Sequence, residues 1–330
     1  MNENRTAVAD LREGCRINDC FLIDGIRLGV TKQGNAYFTA ELYDMTGRIT
    51  AVCWAPDGSV TAEQNGSVVT VIGTVNSYNG KPQICLDYAR PVDPSEIGPE
   101  LLTALVPSAP INVDGYVYSL FAMMDLLRDR DIQALCRYVL DQRKEQFISY
   151  PAAKSIHHAF LHGLLMHSLD MARIAYRVCD LYPNAFSRDL LVAGALLHDV
   201  GKLEEFEVSP VTGLVVGYTE RGNLLHHSVL GAEIIRQAAA VTGARAEVSN
   251  LLQHMVLSHH GDPSYGAAAV PMTIEAEMLH CLDMIDSRKE IFKKALANTP
   301  PGEFSPKIYA LDRRIYQHTL ETYQQNLREV

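Results

Sequence analysis

The sequence predicts a multidomain α and β protein, with a small N-terminal β-barrel followed by an all-α domain. Three observations carry that expectation. Residues 14 to 95 fall into short alternating runs separated by turn signals, as closely spaced strands do. From Val113 onward, apolar residues recur at three- and four-residue steps, the spacing of one helix face. Finally, 11 of the 12 histidines lie between His157 and His280, so the helical part also carries concentrated chemistry.

Size and composition set the frame. A chain of 330 residues has room for one large domain or two to three smaller ones, and 47% hydrophobic residues suffice for a sizeable core. The formal net charge of −10 argues against tight, nonspecific binding of a long duplex, which rests on cationic surface. The seven cysteines, at 15, 20, 53, 85, 136, 179 and 281, form no CxxC pair. An odd, scattered set reads as reduced thiols and predicts a cytoplasmic protein. The opening stretch MNENRTAVADLREGCR has no apolar core, so no secretory signal is expected. No apolar run reaches bilayer length, so no membrane partner is expected either.

In residues 1–95 the expected strands are Cys20 to Asp24 with Gly25 to Val30, then AYFTAELYD, RITAVCWA, SVVTVIGTVNSY and KPQICLDYA. Turn residues fill the breaks at Lys32 to Asn35, Asp44 to Gly47, Gln64 to Gly66 and Asn79-Gly80. Five or six short strands joined by tight turns fit an OB-like Greek-key barrel. Such a barrel can stack single-stranded bases on aromatic faces. The candidates are Tyr37, Phe38, Trp54 and Tyr78, with Tyr43 and Tyr88 as further aromatics, and Lys32, Lys81 and Arg48 as a cationic path. The competing reading is that most of these rings fill the barrel, because alternation turns every second residue inward.

Residues 96–150 are expected to hold a proline-rich linker and connecting helices, with Leu120, Met123, Met124, Leu127, Ile132, Leu135, Tyr138 and Val139 on their apolar face. Residues 151–298 read as helical apart from VSPVTGLVVGYTERG (208–222), expected as a hairpin or ordered loop. There Ser187 is a plausible N-cap and Gly201 a plausible terminator of the apolar run LLVAGALL. Further helices are expected from about Leu224 to Ala240, Glu247 to His260 and Thr273 to Leu296. Beyond the linker TPPGEFSPK, the extension 299–330 is expected to end in one more helix.

The adjacent pair His198-Asp199 closes LLVAGALL, and other candidate ligands fall on separate helices: His167, His226 or His227, His259 or His260, and Asp283. Helical bundles build metal sites from such inward side chains on facing helices. Imidazole nitrogen with carboxylate oxygen suits Mn, Fe, Co, Ni or Zn. One ion can take His167, His198, Asp199 and Asp283, and a bridging Asp199 can hold a second with His227 and His259. Two such ions clamp a phosphate and activate water. Lys202, one turn past Asp199, is placed to neutralise a phosphate oxygen. Asp286 competes with Asp283, three residues away on nearly the same face. His157, His158 and His162 are candidates to support the ligands or touch substrate, whereas His280 and His318 read as structural. No GxSxG, P-loop or strand-to-helix GxGxxG offers a rival chemistry.

The order H … HD … H … HH … D resembles that of the HD-domain superfamily of metal-dependent phosphohydrolases. More narrowly, PAAKSIHHAFLHGLLMHSLDMA (151–172), LLVAGALLHDVGKLEE (190–205), LQHMVLSHHG (252–261), EAEMLHCLDMIDS (275–287) and FSPKIYALDRR (304–314) resemble the YhaM-type 3′-to-5′ exoribonucleases, as does the OB-like start. The resemblance implies an enzyme that removes nucleotides from the 3′ end of single-stranded RNA, and of DNA in the wider expectation. It implies Mn²⁺ first, with Fe, Co, Ni, Zn and Mg as alternatives and one or two ions per site. Metal positions fall on His167, His198, Asp199 and Asp283, with His227, His259 and His260 at the second metal or phosphate. Asp199, Lys202 and His227 are the expected catalytic residues; His158, His162 and His226 support them. Two departures stand out: Met166 replaces an acidic residue before His167, and His226 a glycine. The alternative expectation is hydrolysis of small nucleotides with the barrel regulatory; a third is a nucleic-acid binder with a vestigial site. Self-association is left open.

Overall fold

The computed structural model describes residues 5–154, 159–297 and 299–320. Its N-terminal part is a closed five-stranded barrel in the order β1-β2-β3-β5-β4, formed by β1 (Arg16–Val30), β2 (Ala36–Asp44), β3 (Gly47–Cys53), β4 (Ser67–Tyr78) and β5 (Lys81–Pro91). All pairings are antiparallel except β3 with β5, so the barrel is OB-like as expected. β1 runs through the anticipated break at Gly25 as one strand with a register shift between Asp24 and Arg27; Gly25 sits there at φ 62°. A bulge bends the long strand so that it pairs with both β2 and β4.

Alternation decides which aromatics are available. Phe38, 1% exposed, joins Ala40 and Leu42 in the barrel core, whereas its neighbour Tyr37 points outward. Phe38 is therefore withdrawn from the nucleic-acid-binding set, since adjacent residues of a strand face opposite sides. Tyr43 is also buried, on the outer face, where it packs with Leu22, Val68, Leu105, Val106 and Leu214. That second cluster explains the unbroken apolar triplet Phe21-Leu22-Ile23: Phe21 and Ile23 fill the barrel, and Leu22 fills the seam with the helical half.

The connecting region forms α1 (Pro99–Leu105), α2 (Val113–Asp125), α3 (Arg130–Gln142) and α4 (Lys144–Ser149). Then follow α5 (Gly163–Leu181), α6 (Arg188–Leu197), the short α7 (Lys202–Glu205), α8 (Glu220–Thr242), α9 (Ala246–Ser258) and α10 (Ile274–Leu296). The expected excursion is a hairpin of β6 (Phe206–Val208) and β7 (Val215–Tyr218). Ser187 caps α6 by accepting from the Leu190 N–H, as expected. From Leu190 to Leu197 every residue of α6 is buried, so this helix is the axis of the domain rather than a surface element.

Two glycines permit its packing. A Cβ on Gly194 would lie 2.2 Å from Met255 of α9, and one on Gly201 2.0 Å from the His227 carbonyl of α8. Gly201 thus serves close backbone approach; its φ of −66° is ordinary for any residue.

The C-terminal extension differs from expectation. Up to residue 320 it contains no α-helix; it folds back on itself through bridges between Phe304 and Tyr316 and between Ile308 and Arg313. Pro300, Pro301 and Pro306 cannot donate helical hydrogen bonds, and Asp312 adopts φ 49°. Ser305 and Ile315 are buried and anchor the loop. The rest of the expected helix lies outside the described residues.

Candidate metal centre

α6 is buried all round and delivers His198 and Asp199, at its C-terminal end, into the domain interior. The helices packed around it bring the partners: His167 on α5, His227 on α8, His259 and His260 just past α9, and Asp283 on α10. His167 Nε2 lies 3.1 Å from His198 Nε2 and 3.5 Å from carboxylate oxygens of both Asp199 and Asp283. His227 Nε2 lies 3.4 Å from His259 Nε2 and 3.1 Å from His260 Nε2. Four overlapping sets of candidate ligands result: His167-His198-Asp199, Asp199-His227-His259, His259-His260-Asp283 and His226-His227-His260.

What turns each ring inward is a hydrogen bond on its far side. His198 and His259 sit just after helix ends and donate from Nδ1 to the carbonyl three residues back, Ala195 at 3.0 Å and Val256 at 2.7 Å. These carbonyls belong to the last helical turn, which has no backbone donor of its own. His167 Nδ1 donates to Asp286 at 2.7 Å, and His227 Nδ1 shares a hydrogen bond with Glu205 at 3.1 Å. With Nδ1 carrying the proton, Nε2 presents a lone pair, so these rings aim electron pairs at one another and at carboxylates. A metal cation at their centre makes such an arrangement favourable. Asp199 Oδ1 makes the same point: it is buried and accepts no hydrogen bond among the described residues, while His227 and His259 Nε2 stand 3.5 and 3.9 Å away. The donor set therefore fits a divalent metal of the borderline class.

The HD domain family model matches residues 164–288, which span every one of these ligands. The chain is 34% identical over 307 residues to the 3′-5′ exoribonuclease YhaM of Bacillus subtilis (strain 168), covering 92% of this chain and 95% of that one. It is equally 34% identical over 306 residues to 3′-5′ exoribonuclease YhaM of Geobacillus sp. (strain WCH70), covering 92% of each. The chain belongs to the YhaM exoribonuclease family. Among solved structures, the second OB-fold domain of replication protein A from Methanococcus maripaludis matches 27% of this chain and 96% of its own at 18% identity, with a TM-score of 0.23.

Protonation in this YhaM-family chain suits ligation. Burial, reinforced by the Lys202 charge, holds His227 well below the usual histidine range. Burial and the neighbouring His260 and His198 rings bring His259 down to about 3. Both are neutral imidazoles near neutral pH, the form that binds metal. Burial disfavours an Asp199 carboxylate, but Lys202 and His198 outweigh it and keep Asp199 ionised. For His198 burial likewise opposes charge, and Asp199 overrides it and raises the ring. A bound cation competes with that proton for the same carboxylate.

The centre forms the floor of a cavity of about 500 Å³. His167, Asp199, Lys202, His259, His260, His280 and Asp283 line it, and residues Tyr309 to Arg313 of the C-terminal loop supply part of its wall. Lys202 Nζ donates to Asp199 Oδ2 at 2.7 Å.

His226 has an unusual backbone, with φ 65° and ψ 151° in the middle of α8. That region is essentially reserved for glycine. The kink releases the His227 N–H from the helical ladder, and it donates to Glu205 at 3.0 Å. The His226 ring lies 4.2 Å from that of His227 and is half exposed.

Not every expected residue gathers here. His162 takes φ 64° at the start of α5, and its Nδ1 donates to the Ile148 carbonyl at 2.7 Å. His158 lies outside the described residues. His280 donates to the His259 carbonyl at 2.9 Å and so braces a ligand loop that sequence reasoning left structural. Glu205 and Asp286 are the two supports that sequence reasoning missed as such. The signal for Asp286 was its i+3 spacing from Asp283; Glu205 carried none beyond proximity to the HD pair.

On the barrel, Tyr37 and Trp54 form an outward pair with ring centroids 5.3 Å apart, and Tyr37 covers Gly29 of β1. Trp54 and Tyr78 are exposed, as are Lys32 and Lys81. Arg48 instead stacks over the Tyr43 ring at 4.1 Å.

Proposed function

We propose that this chain is a metal-dependent 3′-to-5′ exonuclease that removes mononucleotides from single-stranded RNA, with single-stranded DNA a second substrate. The observation that carries the reading is the buried Asp199 Oδ1, left without a hydrogen bond among inward-facing imidazoles at the floor of an open cavity. Family membership supplies the polarity and the polymer. His167, His198, Asp199 and Asp283 would hold one ion, and Asp199, His227 and His259 or His260 a second, with Mn²⁺ as the proposed metal. When bound, such ions polarise a phosphate oxygen and supply a nucleophile from water near neutral pH.

The chain's own residues do the rest. Asp286 and Glu205 fix the tautomers of His167 and His227. Lys202 gives one of its three hydrogens to Asp199 and keeps the others for a phosphate oxygen. The barrel's Tyr37-Trp54 pair, Tyr78, Lys32 and Lys81 offer stacking faces and charge to the strand upstream.

The decisive experiment is degradation of 5′-labelled single-stranded RNA with added Mn²⁺, wild type beside Asp199→Ala. A ladder shortening from the 3′ end, absent in the variant, is expected. Intact RNA in both lanes would refute the reading and redirect the search to small nucleotides.

A further inference from the structure

The cavity above the metal centre has two unlike halves. Its floor is the ligand cluster with Lys202. Its rim combines Arg288 on α10 with Tyr265, Tyr309 and Arg313, the last two from the folded-back C-terminal loop. Tyr265 and Tyr309 are 75% and 92% exposed, although large aromatics at a surface usually pack one face against the protein. Met284, Ile291 and Leu311 also line the cavity and add apolar surface.

The loop is built to hold its tip in place. Ser305 N–H donates to the Ile315 carbonyl at 2.8 Å, Ile308 N–H to the Arg313 carbonyl at 2.9 Å and Gln317 N–H to the Glu303 carbonyl at 2.9 Å. Phe304 and Tyr316 pack with centroids 5.1 Å apart, and Lys307 pairs with Asp312 at 2.5 Å. Lys307 offsets part of the Asp312 charge, and Arg313 and Arg288 add positive charge to the rim. A cavity of about 500 Å³ lies in the range that encloses a ligand of nucleotide size.

We propose that the C-terminal loop completes a subsite for the 3′-terminal nucleotide, in which Tyr309 and Tyr265 offer stacking faces to its base and Arg313 and Arg288 hold the neighbouring phosphate. The loop would then set the preference for a polynucleotide end over a small phosphodiester, by binding what lies beyond the reacting phosphate. This rests on the exonuclease reading above.

The test uses the full chain with Mn²⁺ and two substrates, a 5′-labelled single-stranded RNA and bis(p-nitrophenyl) phosphate, which carries no nucleobase. The readout is the ratio of kcat/KM on RNA to that on the diester. For Tyr309→Ala the ratio should fall by about 5- to 150-fold, the size of one lost base stack, chiefly through KM. Tyr309→Phe retains the ring and should keep the ratio. For Arg313→Ala, the slope of log(kcat/KM) on RNA against log salt should shrink by about 0.7, the loss of one phosphate contact to a single strand. An unchanged ratio in Tyr309→Ala with an unchanged slope in Arg313→Ala overturns the subsite while leaving the exonuclease standing. Equal losses in Tyr309→Phe and Tyr309→Ala overturn the stacking role. Wild-type protein that cleaves the diester and leaves RNA intact overturns the exonuclease reading itself.

Discussion

A single carboxylate oxygen states the chemistry of this centre most economically. Asp199 Oδ1 is buried and unbonded, a condition that costs about 1–3 kcal/mol unless a cation relieves it. The groups behind the ligands matter nearly as much. Asp286 holds His167 by Nδ1 and is itself held by Lys289 at 2.7 Å. Asp286→Asn is expected to weaken metal affinity by about 10- to 100-fold while the fold survives, measured by Mn²⁺ titration of activity. His226 is the opposite case, a residue that pays in backbone strain. Replacing it with glycine should raise stability by about 1 kcal/mol, the relief of a Gly-only conformation less the extra freedom of glycine in the unfolded chain. A denaturant melt with an unshifted midpoint would count against strain at this position. The convergence of the candidate ligands was legible because histidines set into several apolar helices are costly to bury unless they meet partners. Asp286 and Glu205 were not, because an acidic residue on a helix looks the same in sequence whether it meets water or an imidazole.

At the scale of elements, the strands and helices followed their hydrophobic periods closely, and the misreadings have local causes. Phe38 and Tyr37 were both offered as stacking residues, yet the pleat sends neighbours to opposite faces. The C-terminal loop carries apolar residues at spacings that also suit a helix, but its prolines and the positive φ of Asp312 break that pattern. The N-terminal edge of the barrel depends on one buried acid. Asp44 accepts from the Val8 N–H at 3.0 Å, from Arg5 at 2.7 Å and from the N–H and hydroxyl of Thr46. Burial opposes its charge, but Thr46, Val8 and Arg5 outweigh that and lower its pKa. A depressed folded-state pKa means the contribution is fully present above the ordinary carboxylate range and is lost as pH falls through the lowered value. Melting temperatures followed down an acid titration should therefore drop less steeply in Asp44→Asn than in wild type, from a lower starting point at neutral pH.

For the whole molecule, the seam between barrel and helices is what the sequence concealed. Leu22, Tyr43 and Val68 from the barrel meet Leu105, Val106 and Leu214, and a Cβ on Gly66 would strike Val216 of the hairpin at 2.4 Å. Such contacts join residues far apart in the chain, so no local pattern announces them. No described helix is long and apolar enough to cross a membrane. The same long-range logic governs the proposed metal centre, whose candidate ligands come from segments as distant as His167 and Asp283. Ions bound there would tie α5, α6 and α10 at one point and α6, α8 and α9 at another, much as removable staples would. Ligation is then linked to unfolding: at a free metal concentration of 100 times Kd, the folded state gains about 2.7 kcal/mol. Chelation should lower the melting temperature of the wild type, and do so far less in Asp199→Ala. The proposed catalytic ion would then also be a cross-link whose occupancy sets how long the helical half survives heat and proteases.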